Sequence, residues 1–335
     1  MKTYLITGAA GFIGSRLAKS LLDAGNSVIN VDNFNSYYSS DIKINNVLES
    51  VGLNIQVDLK SLKSVVDSSN YTLEVVDIRD FDNMHRVFSN NKIDCIIHLA
   101  AMAGVRPSIE DPMLYQDVNI KGTMNILELS REFNVSKFIM ASSSSVYGNN
   151  TKVPFCETDV VDFAISPYAA TKKACEVIGH SYHHLYNIDM IMLRFFTVYG
   201  PGQRPDLAIH KFTKMIDEGT PIPFFGDGST KRDYTYVTDI VNGIVKSIDY
   251  VENNQSVYEI FNLGESDTIS LTRMVSTIEN ALGKKAIINK MPMQPGDVNI
   301  TYANVNKAKS VLGYNPSMDF EEGIKNFVDW YRRNK

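Results

Sequence analysis

Three cysteines in 335 residues, Cys95, Cys156 and Cys175, contain no Cys-x-x-Cys pair and are too few for a disulfide framework or a thiolate metal site. A reducing cytoplasm fits that scarcity. Positive charge is not in excess either: 33 Lys and Arg against 38 Asp and Glu give a formal net charge of -5, so there is no electrostatic reason to expect nucleic acid or an anionic membrane as a partner. Long apolar runs are also missing. The start, MKTYLITGAAGFIG, reaches glycine after a short apolar stretch, and we expect neither a signal peptide nor a membrane span. No repeat, heptad or low-complexity tail is visible. With 44% hydrophobic and 21% charged residues, the chain reads as a folded soluble protein of one large or two coupled domains.

The first half alternates short β-rich runs (TYLIT, SVINVD, TLEVVD, IDCIIHLAA, KFIMASS) with helical patterns, including one expected over Leu114 to Phe133. Near-continuous apolar strands separated by helices predict a doubly wound α/β fold with a parallel sheet covered on both faces. A helix over Pro167 to Tyr186 and the strand DMIMLRFF extend it. A polar Ser/Asn-rich insertion between Phe34 and Asn70 is longer than usual connections and is expected over one edge of the cofactor site. After Gly200 the chain becomes irregular and richer in Pro and Gly. The expected division is a Rossmann domain over 1–197 and a smaller α/β substrate-binding lobe over 198–335, with segments near 238–263 returning to the first.

TGAAGFIG sets Gly8, Gly11 and Gly14 between the first strand and the first helix. Glycines there permit a tight turn and close approach to a pyrophosphate, whose charge meets the helix N-terminus. The spacing is GxxGxxG rather than GxGxxG. Asp32 ends the second strand, where a carboxylate can accept both ribose hydroxyls and repel a 2'-phosphate, so NAD is favoured over NADP. Asp77, after the third strand, suits either a cofactor contact or helix entry.

Tyr168 and Lys172 in SPYAATK lie four apart, on one helix face. With 17 tyrosines, about one Tyr-x-x-x-Lys is expected by chance, so its position matters more than its presence. It follows both the glycine turn and SSSSVYG, a strand end carrying four hydroxyls from Ser142 to Ser145.

In that order, TGAAGFIG, HLAA, DVNIKGT, SSVYG, SPYAATK, LRFF, FGDGSTKRDY and QPGD resemble the extended short-chain dehydrogenase/reductases of the sugar-nucleotide epimerase group over nearly the whole chain. Within that group the resemblance is greatest to UDP-glucuronate 4-epimerases. It implies NAD as cofactor, held by Gly8, Gly11, Phe12, Ile13, Gly14, Asp32, Asn33, Lys43, Asp77, Ile78, Leu99, Ala100 and Ala101 together with Tyr168 and Lys172. Catalysis is implied for Ser143, Tyr168 and Lys172. A UDP-sugar substrate is implied at Arg106, Ser143, Ser144, Ser145, Thr197, Arg204, Arg232 and Asp297, in a homodimer whose Leu114 to Phe133 and Pro167 to Tyr186 helices pair across the interface. Two departures are visible: Phe163-Ala164 stands where relatives carry His-Pro, and Asn304 where they carry Asp.

The expected chemistry is C4 epimerisation of a UDP-hexuronic acid through a transient 4-keto sugar, with Tyr168 as base, Ser143 holding O4 and Lys172 supplying a cation. Bringing a free tyrosine from near 10 to about 7 needs roughly 4 kcal/mol of preferential phenolate stabilisation. An epimerase acting on UDP-glucose or an N-acetylated UDP-hexosamine is the alternative. A decarboxylase or dehydratase would place acidic residues where Ser144 and Ser145 stand, and a non-catalytic NAD-binding regulator would not need Ser143, Tyr168 and Lys172 together. His180, His183 and His184 lack the carboxylate of an H-E-x-x-H site, so no metal is expected; His98 reads as a structural strand-end histidine.

Overall fold

Seven short strands hydrogen-bond into one sheet in the spatial order Tyr258–Leu263, Asp189–Phe195, Lys137–Ser143, Cys95–His98, Thr3–Thr7, Ser27–Asp32, Tyr71–Val75. The last five in that order pair in parallel. Their residues are mostly buried along their length, as strands covered on both faces must be, which accounts for unbroken runs such as CIIH. The structure, a computed structural model, describes residues 1–292 and 299–335.

Strand order reverses between Thr3–Thr7 and Cys95–His98. From the first strand the chain moves outward to Ser27–Asp32 and Tyr71–Val75, then returns to the other side. The register sets Thr7 opposite both Val31 and His98, so the loops leaving three strands open at one place, where doubly wound sheets bind ligands.

Two compact units divide the chain. The first holds Met1–Gly148, Val160–Arg194 and Val241–Phe261. Its core packs sheet residues such as Leu5, Ile96 and Phe138 against Phe88, Ile126 and Leu127 from the covering helices. Asp80 caps the Phe81–Asn90 helix, and Ser166, with Pro167 in the first turn, caps Pro167–Tyr186. Where a plain helix was expected over Leu114 to Phe133, Pro112–Tyr115 runs into a π-helical turn, Gln116–Lys121, before Gly122–Glu132. The wide turn aims Asn119 inward: its amide bonds both backbone groups of Met102 and donates to the Thr171 hydroxyl at 3.0 Å. Periodicity does not reveal such a turn, because the partners its Asn119 meets, Met102 and Thr171, lie 17 and 52 residues away.

The second unit holds Asn149–Asp159, Phe195–Ile240 and Asn262–Lys335. Its three two-stranded pieces join Thr197–Tyr199 to Tyr234–Tyr236, Lys231–Arg232 to Ile269–Ser270, and Ile222–Phe225 to Ile288–Met291. A core including Tyr199, Ile209, Phe212, Ile278 and Phe327 supports them. Asn149–Asp159 belongs here through Phe155, whose N–H donates to Tyr302 O and whose carbonyl accepts from Asn304 N–H. Buried Asp233 accepts N–H groups from Glu265, Ser266 and Ala303, and burial pushes its carboxyl up to about 6. Irregular segments are thus held by a carboxylate as well as by apolar packing. Among the described residues no helix is long and apolar enough to cross a membrane.

Candidate active site

Gly8 adopts φ 75°, in the left-handed region, where its N–H still donates to Val31 O at 2.7 Å. A Cβ there would stand 2.9 Å from Ala100 N, and one on Gly14 would stand 2.4 Å from the Gly8 carbonyl oxygen. Gly11 precedes the Phe12–Asp23 helix and supplies no side-chain cap, and the first turn carries no acidic residue. The result is a helix start with unclaimed amides beside a surface stripped of side chains, which suits a diphosphate. Leu99 N–H donates to Thr7 O and Ala100 N–H to the Thr7 hydroxyl, tying the HLAA turn to the same strand end.

Asp32 ends the second strand with one carboxylate oxygen accepting Phe34 N–H at 2.9 Å and Lys43 Nζ at 3.5 Å. Lys43 also donates to Asn35 and lies over the Tyr38 ring, and Asn46 donates to Ala10 O. The insertion therefore forms two helices, Ser40–Ser50 and Leu59–Val66, the first of which grips the glycine turn. Asn33 donates to Asp77 at 2.8 Å, and the Arg79 guanidinium forks onto the same carboxylate, pulling Asp77 down to about 2. Ile78 is buried under Gly122.

His98 lies in the core with Nδ1 against the Thr7 hydroxyl (2.7 Å) and Nε2 against the Thr123 hydroxyl (3.0 Å). Thr123 donates onward to Asn119 O, so it accepts from Nε2–H, and Nδ1 accepts from Thr7. Burial, and secondarily the Lys172 charge, push this imidazole down to about 3. It stays neutral and structural. His183 Nδ1–H donates to Ile188 O at 2.9 Å, and its ring packs near Tyr258 as does that of His180.

On the reacting side, Tyr168 packs edge-on against Tyr115 with ring centroids 6.2 Å apart, and Lys172, one turn on, donates to Ala141 O at 2.9 Å. The four serines separate by position. Ser142 donates to Glu176 at 2.7 Å, whereas the Ser143 hydroxyl accepts Ser145 N–H and caps the short helix Ser144–Tyr147. Glu176 is in turn bidentate with Arg194, each pair of atoms 2.9 Å apart, both side chains 1% exposed. Removing either partner would strand a buried charge, at a cost of about 3–5 kcal/mol. Glu176 and Arg194 were not among the residues singled out from the sequence, although an arginine within the apolar run DMIMLRFF signals a hidden anion.

Arg106, Ser144 and Ser145 also belong to this first unit. In the second unit Thr197 opens a strand with its N–H on Asp233 O, Arg204 forks onto Asp206, and Arg232 donates to Lys231 O. Asp297 lies outside the described residues. Of the two departures, Phe163 is exposed, and Asn304 accepts Asn306 N–H and donates to Cys156 Sγ.

A glycine-turned helix start at the switch point, an acid closing the second strand, and Ser143 in the same unit as Tyr168 and Lys172 define a dinucleotide-binding α/β protein with a short-chain-dehydrogenase type of site. Residues 5–327 match the family described as GDP-mannose 4,6 dehydratase, and the chain belongs to it. It is 42% identical, over 100% of its own length and 97% of the relative's, to a UDP-glucuronate 4-epimerase of Thermodesulfobacterium geofontis. Among solved structures it resembles UDP-glucuronic acid 4-epimerase of Bacillus cereus in complex with UDP-glucuronic acid and NAD, with a TM-score of 0.88, 33% identity, and coverage of 99% of this chain and 100% of that one. It also resembles a Thermotoga maritima UDP-glucose 4-epimerase with UDP-glucose, with a TM-score of 0.84, 31% identity, and 99% coverage of each chain.

Proposed function

We propose that this protein is an NAD-dependent isomerase that inverts C4 of UDP-glucuronate to give UDP-galacturonate through a transient 4-keto sugar. The observation that carries the reading is the first unit itself, in which a side-chain-free diphosphate cradle with Asp32 accompanies a Tyr168–Lys172 helix bonded directly to the serine-ended strand. The turn packs so closely that a Cβ at Gly8 or Gly14 would collide with the backbone at Ala100 or Gly8, and the uncapped helix start that this turn presents fits the diphosphate of a dinucleotide. When bound, NAD supplies a two-electron acceptor that is regenerated within the cycle, so no net oxidation occurs. Tyr168 takes the proton of the sugar O4 and returns it after the ketone has turned over, Ser143 holds that oxygen, and Lys172 provides the cation that favours the phenolate. Incubating the purified protein, without added NAD, with UDP-glucuronate and with UDP-glucose tests the function directly. A UDP-galacturonate product from the first and little turnover of the second is expected. Preference for UDP-glucose would overturn it in favour of the neutral-sugar epimerase.

Asp32 serves the adenosine ribose in this reading, with Lys43, Asn33 and Asp77 around it. Asp32→Ala is expected to weaken NAD retention and relax discrimination against NADP, because the acceptor of both ribose hydroxyls and the repulsion of a 2'-phosphate are lost together. The nucleotide released from denatured protein reports it: unchanged NAD occupancy would make Asp32 a structural residue.

Oxidising C4 of a glucuronate makes a β-keto acid, which loses carbon dioxide readily, so the carboxylate must be gripped without being helped to leave. Neutral donors suit that task, and Ser144, Ser145 and Thr197 are assigned to it, with Arg106, Arg204, Arg232 and Asp297 at the rest of the UDP-sugar. Charge-assisted hydrogen bonds contribute roughly 1.5–3 kcal/mol each, so Ser144→Ala and Thr197→Ala are each expected to lower UDP-glucuronate efficiency about ten- to a hundredfold while sparing UDP-glucose. Equal losses on both sugars would remove the cradle. The protein acts in the cytoplasm as a homodimer, formed through the exposed Met124, Val177, Leu185 and Tyr186 of the Gly122–Glu132 and Pro167–Tyr186 helices; a monomeric mass in solution would contradict the dimer.

A further inference from the structure

The turn that carries Ser143 is fastened at both ends to one buried ion pair. On its near side Ser142 donates to Glu176, and on its far side the Tyr147 hydroxyl accepts from Arg194 Nη1 at 3.0 Å, with the guanidinium 4.9 Å from the Tyr147 ring centroid. Glu176 lies one helical turn beyond Lys172 and two beyond Tyr168, so all three share a helix face. Arg194 comes from the strand next to Lys137–Ser143. The Pro167–Tyr186 helix is therefore stitched to the strand end at successive levels, Lys172 to Ala141 O and Glu176 to the Ser142 hydroxyl, and its own backbone is held from outside where the Tyr258 hydroxyl donates to Glu176 O at 2.6 Å. Successive strand residues face opposite ways, which lets Ser142 serve the ion pair while its neighbour Ser143 points elsewhere.

We infer that Glu176, Arg194, Ser142 and Tyr147 are positioning residues that fix the Ser143–Ser145 turn against the Tyr168–Lys172 helix, and so set the reach between the hydroxyl that holds O4 and the base that takes its proton. The four bond one another, and none of them is assigned a part in the proton or hydride transfer. Arginine is required at 194 because two parallel donors engage the carboxylate while a third reaches Tyr147, a geometry an ammonium group does not supply. The network has no function of its own to add to the epimerase; its consequence is precision, and small displacements of reacting groups are costly in rate.

The inference rests on the proposed epimerase activity, and its test separates the two. Ser142→Ala and Tyr147→Phe each delete one hydroxyl and leave the ion pair whole, so they are expected to fold and to retain NAD. Turnover of UDP-glucuronate by the purified variants is expected to fall roughly 10- to 100-fold with the Michaelis constant nearly unchanged, and Arg194→Lys is expected to show the same split with a larger fall. A purely structural role would lower melting temperature but leave the turnover of the folded fraction at the parent value. Both hydroxyl variants turning over within twofold of the parent would overturn the positioning role while leaving the epimerase reading intact. A parent that turns over no UDP-sugar would overturn both.

Discussion

Tyr168→Phe is expected to fold normally and keep its NAD while losing epimerisation by roughly 10²- to 10⁴-fold, the range that a positioned proton acceptor contributes. The substitution is conservative because the ring that packs edge-on against Tyr115 is kept, and the Tyr115 hydroxyl donates to Ala103 O. Phenylalanine therefore occupies the same place, the neighbouring Lys172 and Ser143 keep their backbone partners, and only the proton transfer is deleted. The measurement is the initial rate of UDP-galacturonate formation, set beside the NAD content of the same preparation. Activity within tenfold of the parent would remove Tyr168 as the base.

Lys172→Ala is expected to be comparably damaging, and its residual activity is expected to move to higher pH. The buried ammonium is the cation nearest in the chain to Tyr168 on its helix face, and loss of a neighbouring positive charge disfavours a phenolate. The variant also leaves Ala141 O without its donor, so some stability is lost as well. A pH–rate profile recorded on folded, NAD-containing variant separates the effects: a lower plateau with an unmoved profile would place Lys172 in the architecture rather than in the proton chemistry.

Much of the first unit is legible in contiguous residues. Gly8, Gly11 and Gly14 announce a tight turn because glycine adopts the left-handed φ at Gly8 without strain and leaves room for the backbone that a Cβ at Gly8 or Gly14 would strike. Tyr168 and Lys172 declare a shared face through helical spacing, and Ser166-Pro167 marks where that helix starts. The apolar strands state their two-sided burial. Asp77 was less readable: between a cofactor contact and a helix cap, the fold gives the capping role to Asp80 and leaves Asp77 with Arg79 and Asn33.

What sequence alone determined here is therefore what acts over a few residues: the alternation of strand and helix, the glycine turn, the acid at the end of the second strand, and the residue types able to move a proton. The tertiary structure decided which hydroxyl of SSSSVYG meets the buried ion pair, what the Asn119 of the π turn reaches, and what neutralises an arginine inside an apolar strand. Each answer lies with a partner 34, 52 or 18 residues away. Backbone sterics and helical periodicity are written locally, whereas desolvated charges and hydroxyls find their partners only when packing brings distant segments together, and no spacing rule along the chain encodes that encounter.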